Sequence, residues 1–169
     1  MTLSELEAIV FDFDGVLTDD RVWVDQDGRE TVSCSRRDGL AFDVLRKTHL
    51  KLFILSTEKN TVVARRAEKL RIRAVHGASD KAASLRALAK EEGFPLDRTL
   101  YVGNDVNDLP AAALCAFVAC PSDAHPSVKA MATYCLSTPG GSGIVREIVE
   151  QILSIDMDAQ LNGSRATNL

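Results

Sequence analysis

Apolar and polar positions alternate along the chain in two distinct rhythms. Short runs of consecutive apolar residues recur at Ala8–Phe13, Lys51–Leu55, Ile72–Val75, Thr99–Val102, Ala116–Ala119 and Thr133–Leu136. Each reads as a strand buried on both faces. Between them the spacing turns helical. Leu40, Val44 and Leu45 share one face after Asp38-Gly39, and Val62, Val63, Ala67 and Leu70 share another. Ser79 is placed to cap a helix that runs through Leu85 and Leu88 and stops at Gly93, with Pro95 just beyond. Strands alternating with helices at this spacing predict an α/β fold, a three-layer, doubly wound (Rossmann-like) parallel sheet.

Two segments depart from the alternation. Asp20–Cys34 holds two short β-type runs around Asp27-Gly28, a hairpin signal, so a hairpin is expected to project after the first strand. Beyond Leu153 the sequence turns polar and aperiodic. One domain is therefore expected over residues 1–155, with a flexible tail over 156–169.

Composition narrows the class without naming a function. The 169 residues are 46% hydrophobic and 26% charged, as in an ordinary globular domain. A net charge of -4 argues against nucleic-acid and anionic-membrane partners. Cys34, Cys115, Cys120 and Cys135 form no CxxC pair and read as buried thiols of a cytosolic protein. No signal-peptide pattern opens the sequence, and no apolar run reaches the roughly 18–20 residues of a membrane span, so a cytoplasmic location is expected.

Candidate chemistry collects where the predicted strands end. Asp12 and Asp14 close the first strand in FDFDGVLTD, and Ser56 and Thr57 follow the second. Gly103-Asn104-Asp105-Val106-Asn107-Asp108 follows the fourth, and Lys81 opens the Ser79 helix. In parallel sheets, ligands bind beyond those carboxyl ends. Taken singly, the aspartates are also turn formers, Ser56 a helix cap and Lys81 a solvated helix residue. Taken together they predict one carboxylate-rich site with a lysine and a hydroxyl. Such a site suits phosphoryl transfer from a monoester dianion, with Mg²⁺ cancelling the repulsion between phosphate and carboxylate. Asp12 would attack phosphorus, and Asp14 would protonate the leaving oxygen and then activate water. Lys81 and Ser56 would hold the equatorial oxygens.

FDFDGVLTD, the Leu55-Ser56-Thr57 segment, the lysine of SDKAAS and GNDVNDLPA resemble, in order, the four motifs of the haloacid dehalogenase superfamily. The resemblance runs from residue 8 to about 153. It is closest to the capless subgroup of 3-deoxy-octulosonate 8-phosphate phosphatases, through Arg37-Asp38-Gly39, the DAHP segment Asp123 to Pro126, and Gly140 to Glu147. It implies a metalloenzyme without a cap domain. Mg²⁺ would be held by the Asp12 side chain, the Asp14 backbone carbonyl and either Asn104 or Asp105, with Asp108 orienting metal-bound water. The family's fourth motif usually begins Gly-Asp; here Asn104 follows the glycine. Glu58 and Lys69 resemble the sister group acting on nine-carbon 2-keto-3-deoxy sugar acid 9-phosphates. They are expected, with Thr57 and Arg37, to bind a phosphorylated sugar acid. The resemblance further implies a homotetramer whose neighbouring subunits close the site, and exposed Val22, Trp23 and Val24 on the hairpin suit such a contact. A phospho-acceptor receiver domain shares the Asp, Ser/Thr and Lys set, but a general acid two residues after the acceptor would shorten its signal, and Asp14 argues against it. A catalytically silent scaffold would have no use for the intact set.

Overall fold

The computed structural model describes residues 1–163. Six strands form one sheet in the order β5-β4-β1-β6-β7-β8, every neighbouring pair parallel. They are β1 (Ala8–Phe11), β4 (Lys51–Leu55), β5 (Arg73–Val75), β6 (Thr99–Val102), β7 (Phe117–Cys120) and β8 (Tyr134–Cys135). Strand β1 is wholly buried, which explains its unbroken apolar run. Ile9 and Phe11 enter the core on one face, packed with α1 (Arg36–Leu45) and α6 (Ile144–Glu147). Ala8 and Val10 enter the other, packed with α3 (Lys81–Glu92) and α4 (Leu109–Ala112). Covering both faces of a parallel sheet yields the three-layer architecture that the patterning predicts.

The chain winds outward from β1 through β4 to β5, then crosses back to β6 on the other side of β1. That reversal opens a crevice at the carboxyl ends of β1 and β6. The expected hairpin is present as a separate two-stranded sheet, β2 (Thr18–Val24) with β3 (Glu30–Cys34), pairing Val22 with Val32 and Trp23 with Thr31. Its register shifts between Thr18 and Val22, where Asp20 takes a left-handed φ of 61°. A short helix, α5 (Pro126–Met131), follows β7. Among the described residues, no helix is long and apolar enough to cross a membrane.

Several local expectations are corrected. The α3 cap is Asp80, not Ser79: its carboxylate accepts from the Ala83 N–H at 2.9 Å, which makes Lys81 the first helical residue. Helix α1 starts at Arg36, so Leu40 turns outward, 45% exposed, and Asp38 takes a buried position. The four cysteines are free thiols, of which Cys120 alone is fully buried and Cys135 is exposed. The tail expected to be flexible holds a helix, α7 (Met157–Asn162), within residues 156–169. Asp156 caps it, Met157 is buried in the core beside α1, and the Lys47 ammonium donates to the Gln160 carbonyl. Met157, with Leu161 packed beside it, and one cap hold this short helix, and a polar composition masks them. The remainder of that tail, 164–169, lies outside the described residues.

Candidate active site

Asp12, Ser56 and Gly103 each sit one position beyond a strand, with the backbone still tied to the neighbouring strand. Asp12 N–H donates to the Val102 carbonyl at 2.8 Å, and Ser56 N–H to that of Val75 at 2.9 Å. Gly103 N–H donates to that of Ala119 at 3.2 Å. The sheet thus fixes the three loops relative to one another before any side chain is considered.

At the floor, the Lys81 ammonium lies 2.7 Å from Asp12 Oδ2 and 2.7 Å from Asp108 Oδ1. All three side chains are at least 94% buried. Asp12 Oδ1 also accepts from the Phe13 N–H at 2.7 Å. Burial pushes the Asp12 carboxyl well above its ordinary value, and the nearby Asp108 charge adds to this, outweighing Lys81. Burial alone would lower the Lys81 ammonium; the two carboxylates overcome it and hold that lysine charged. Asp108 is saturated. Its Oδ1 accepts from Lys81 and from the Tyr101 hydroxyl at 2.7 Å, and its Oδ2 from the N–H groups of Asn104 at 2.9 Å and Asp105 at 3.2 Å. Four donors fill the four acceptor positions of a carboxylate. In this arrangement Asp108 orients Lys81 and the loop after β6.

Above this floor lies a cavity of about 70 Å³ lined by Asp12, Asp14, Asp20, Thr57, Asn104, Asp105 and Asn107. Asp14 and Asp20 are shared with a groove of about 190 Å³ between the hairpin and the loop before α2 (Val62–Leu70). Glu58, Asn60, Arg21 and Glu30 line that groove. Burial, followed by the charges of Glu58 and Asp20, raises the Asp14 carboxyl above its ordinary value. The Ser56 hydroxyl is buried beside the floor and accepts from the Glu58 N–H at 3.1 Å. The turn carrying Asp14 passes so close to the β6 loop that only glycine fits. At Gly15, φ is +71° and a Cβ would lie 2.0 Å from Asn104 Nδ2.

A surplus of carboxylates over one lysine calls for a cation, and a bound cation can be tested against the donors present. Among the described residues, no three His, Cys, Asp or Glu side chains cluster as a metal cage. Yet Asn104 Oδ1 is buried without a hydrogen-bond partner. Orphaned carbonyl oxygens of that kind are rare in folded proteins. Asp105 is differently employed, since it is exposed and caps the next turn by accepting from the Val106 N–H at 2.6 Å. The donor set fits a hard, oxygen-seeking divalent ion that keeps some of its own water.

The structure does not bring two of the expected residues to this cavity. Lys69 is exposed on the last turn of α2 and lines a separate groove with Arg36, Arg46 and Arg66. Arg37 is exposed on α1, its side chain packed over Gly143. Conversely, sequence reasoning missed Tyr101, which reads as a core aromatic. It also assigned no role to Asp38, which holds the Val145 N–H at 2.9 Å, or to Glu147, which holds those of Ser137 and Thr138 at 2.7 and 2.9 Å. A charged residue inside an apolar helical face was the available signal for both.

A crevice with an aspartate pair on the central strand, a hydroxyl on the next, a buried lysine and an acidic loop opposite defines a class. A family model described as haloacid dehalogenase-like hydrolase matches residues 44–148. The chain belongs to that family, and it is a phosphatase. It is 34% identical over 152 residues to the 3-deoxy-D-manno-octulosonate 8-phosphate phosphatase of Haemophilus influenzae, covering 89% of this chain and 84% of that protein. The Moraxella catarrhalis enzyme of the same name, solved with magnesium, phosphate and KDO, matches with a TM-score of 0.86 at 29% identity, over 98% of this chain and 94% of that one. A Streptomyces avermitilis structure assigned to the same hydrolase family matches at 48% identity and a TM-score of 0.86, over 89% and 86% of the two chains.

Proposed function

We propose that this phosphatase is Mg²⁺-dependent and hydrolyses a phosphorylated 2-keto-3-deoxy sugar acid through an aspartyl-phosphate on Asp12. The reading is carried by the Asp12–Lys81–Asp108 chain facing a cavity whose other wall holds Asp14 and the orphaned Asn104 oxygen. The Asp12 carboxylate, the Asp14 backbone carbonyl and Asn104 Oδ1 would hold the ion, Asp105 being committed to its cap. Bound there, Mg²⁺ would cancel the repulsion between a phosphate dianion and the nucleophile.

This chain's own groups supply the rest. A carboxylate oxygen of Asp12 bonds to phosphorus as the bond to the sugar oxygen breaks, and that oxygen takes the proton of Asp14. The raised proton affinity of Asp14 suits a donor. Asp14, now ionised, removes a proton from a water that attacks the phosphorus of the intermediate, releasing inorganic phosphate and free Asp12. Lys81 and the Ser56 hydroxyl hold the phosphoryl oxygens on which negative charge spreads.

The sugar acid class comes from the names of the relatives. Within it we favour a nine-carbon acid phosphorylated at its terminal carbon, because Glu58 lines the groove beyond Asp14, where it can accept hydrogen bonds from sugar hydroxyls. The eight-carbon octulosonate 8-phosphate is the second reading, supported by those same names. The assembly we propose is a homotetramer in which the hairpin meets neighbours that close the site, supported by the exposure of Val22, Trp23 and Val24. Lys69 would then act across a subunit boundary.

Phosphate release from both acids and from a neutral sugar phosphate, with Mg²⁺ or EDTA, tests the reading. EDTA should stop turnover and Mg²⁺ restore it; full activity after metal removal sinks the metal role. Glu58→Ala should cost the nine-carbon acid about 10- to 100-fold in kcat/KM, the effect of leaving a hydrogen-bonding group unmet. Preference for the eight-carbon acid by the unaltered protein overturns the chain-length reading, and an unchanged preference in Glu58→Ala removes the residue as its source.

A further inference from the structure

Two motifs, the DAHP segment and the glycine-rich element after β8, have no part in the chemistry above, yet they meet beside it. We propose that Asp123 is a positioning residue that ties the loop carrying Asn104 to the turn carrying Asp14, so that the donors for the cation stay in register. The inference rests on the metal site just proposed.

The contacts form a closed ring around the cavity. Asn104 offers its backbone carbonyl to the His125 N–H at 2.8 Å, which fastens the β6 loop to the DAHP segment. Two residues back, Asp123 Oδ1 accepts from the Gly140 N–H at 3.0 Å. Gly140 in turn presses on the Asp14 turn, since a Cβ there would lie 2.1 Å from the Gly15 carbonyl oxygen. Gly141 N–H donates to the Val16 carbonyl at 3.0 Å. Gly15 closes the ring by its contact with the Asn104 amide.

The glycine loop is itself held from behind. Glu147 grips Ser137 and Thr138 on one side, and Asp38 grips Val145 on the other. The loop is therefore a stiff strut between two fixed anchors, and Asp123 decides where its tip sits. Asn104 and Asp14 belong to different loops, about ninety residues apart in sequence. Sheet pairing places the roots of those loops but not their tips. Groups that orient metal ligands from one contact away change metal affinity or activity by roughly 10- to 100-fold when removed.

Asp123 is largely exposed, and the Ser122 N–H to Thr138 carbonyl bond at 3.1 Å survives its replacement. The variant should therefore fold, with a melting temperature within about 4 °C of the parent. The experiment measures Mg²⁺ affinity by calorimetry and p-nitrophenyl phosphate turnover for the unaltered protein, Asp123→Ala and Asp123→Asn. The alanine variant should lose about tenfold in both quantities, while the asparagine variant, which keeps an acceptor oxygen, should stay within about threefold of the parent. Gly140→Ala, which drives the strut into Gly15, should reproduce the alanine loss. Parent-like values in Asp123→Ala overturn the proposal. Equal damage in both Asp123 variants also overturns it, by assigning the effect to charge. Loss of turnover with unaltered Mg²⁺ affinity does so as well, because the two loops would then be uncoupled. Absence of Mg²⁺ binding in the unaltered protein refutes the underlying metal site instead.

Discussion

At the floor of the site, Lys81, Asp12 and Asp108 are nearly sealed from solvent, and the Lys81 ammonium lies 2.7 Å from each carboxylate. On the hairpin above it, Val22, Trp23 and Val24 are 52%, 70% and 60% exposed. The floor hangs from the central sheet, whose inner strands β1 and β6 are paired on both sides and wholly buried. The hairpin pairs only with itself, and a lone two-stranded sheet has little stability of its own. One polar tie joins it to the opposite wall, the Asn60 amide donating to Glu30 at 3.2 Å. The contrast separates two tasks. Phosphoryl transfer needs charges preorganised in a dry setting, and the core supplies it. Under the reading proposed above, recognition of the rest of the substrate and contact with neighbouring subunits fall to a wall that can change without disturbing the core.

Attacking the floor should have the largest effect. Asp12→Asn preserves shape but removes the nucleophile, and turnover should fall by about a thousandfold or more, since residues acting as a unit lose nearly all function singly. Circular dichroism should report an intact fold; activity above about ten per cent of the parent would exclude Asp12 as nucleophile.

Lys81→Met comes next. It should lower kcat by about 100- to 1000-fold, as removing one electrostatic donor does in other sites. It should also destabilise the fold by about 3–5 kcal/mol, because Asp12 and Asp108 would be left buried facing each other. Urea unfolding checks the second effect, and an unchanged midpoint would mean that solvent reaches the floor.

Trp23→Ala on the hairpin should change the stability of the isolated subunit by no more than about 0.5 kcal/mol, the usual range for exposed positions. Its measurable effect should be on assembly. Light scattering should give a tetramer mass for the parent and a smaller species for the variant. A monomeric parent would reject the assembly and leave the groove open to solvent.

Much of this was legible in the residues themselves. Consecutive apolar runs identify β1, β4 and β6 because a strand buried on both faces has no polar side to show. Asp12, Ser56 and the loop from Gly103 to Asp108 declare themselves because polar residues immediately after such runs must lie at the strand ends. Asp27-Gly28 marks the hairpin through local turn preference alone. None of these readings depends on knowing what packs against what.

Other features were settled only by packing. Asp80 displaced Ser79 as a cap because its backbone is extended and its carboxylate reaches Ala83. Leu40, expected inside with Val44 and Leu45, turns outward because α1 begins at Arg36, and Asp38 is buried. Helix α7 forms because Met157 finds the core beside α1, a contact far away in sequence. Asp108 stands out in the sequence, but its partners, Tyr101, Lys81 and two backbone N–H groups, are brought to it by the fold. The unpaired state of Asn104 Oδ1 is likewise a property of its surroundings and not of asparagine. Residue identity and spacing determined which groups are present and on which end of the sheet they fall, because those follow from local periodicity. Which oxygen is spent and which is left free was decided by tertiary structure, because hydrogen-bond partners come from loops distant in the chain.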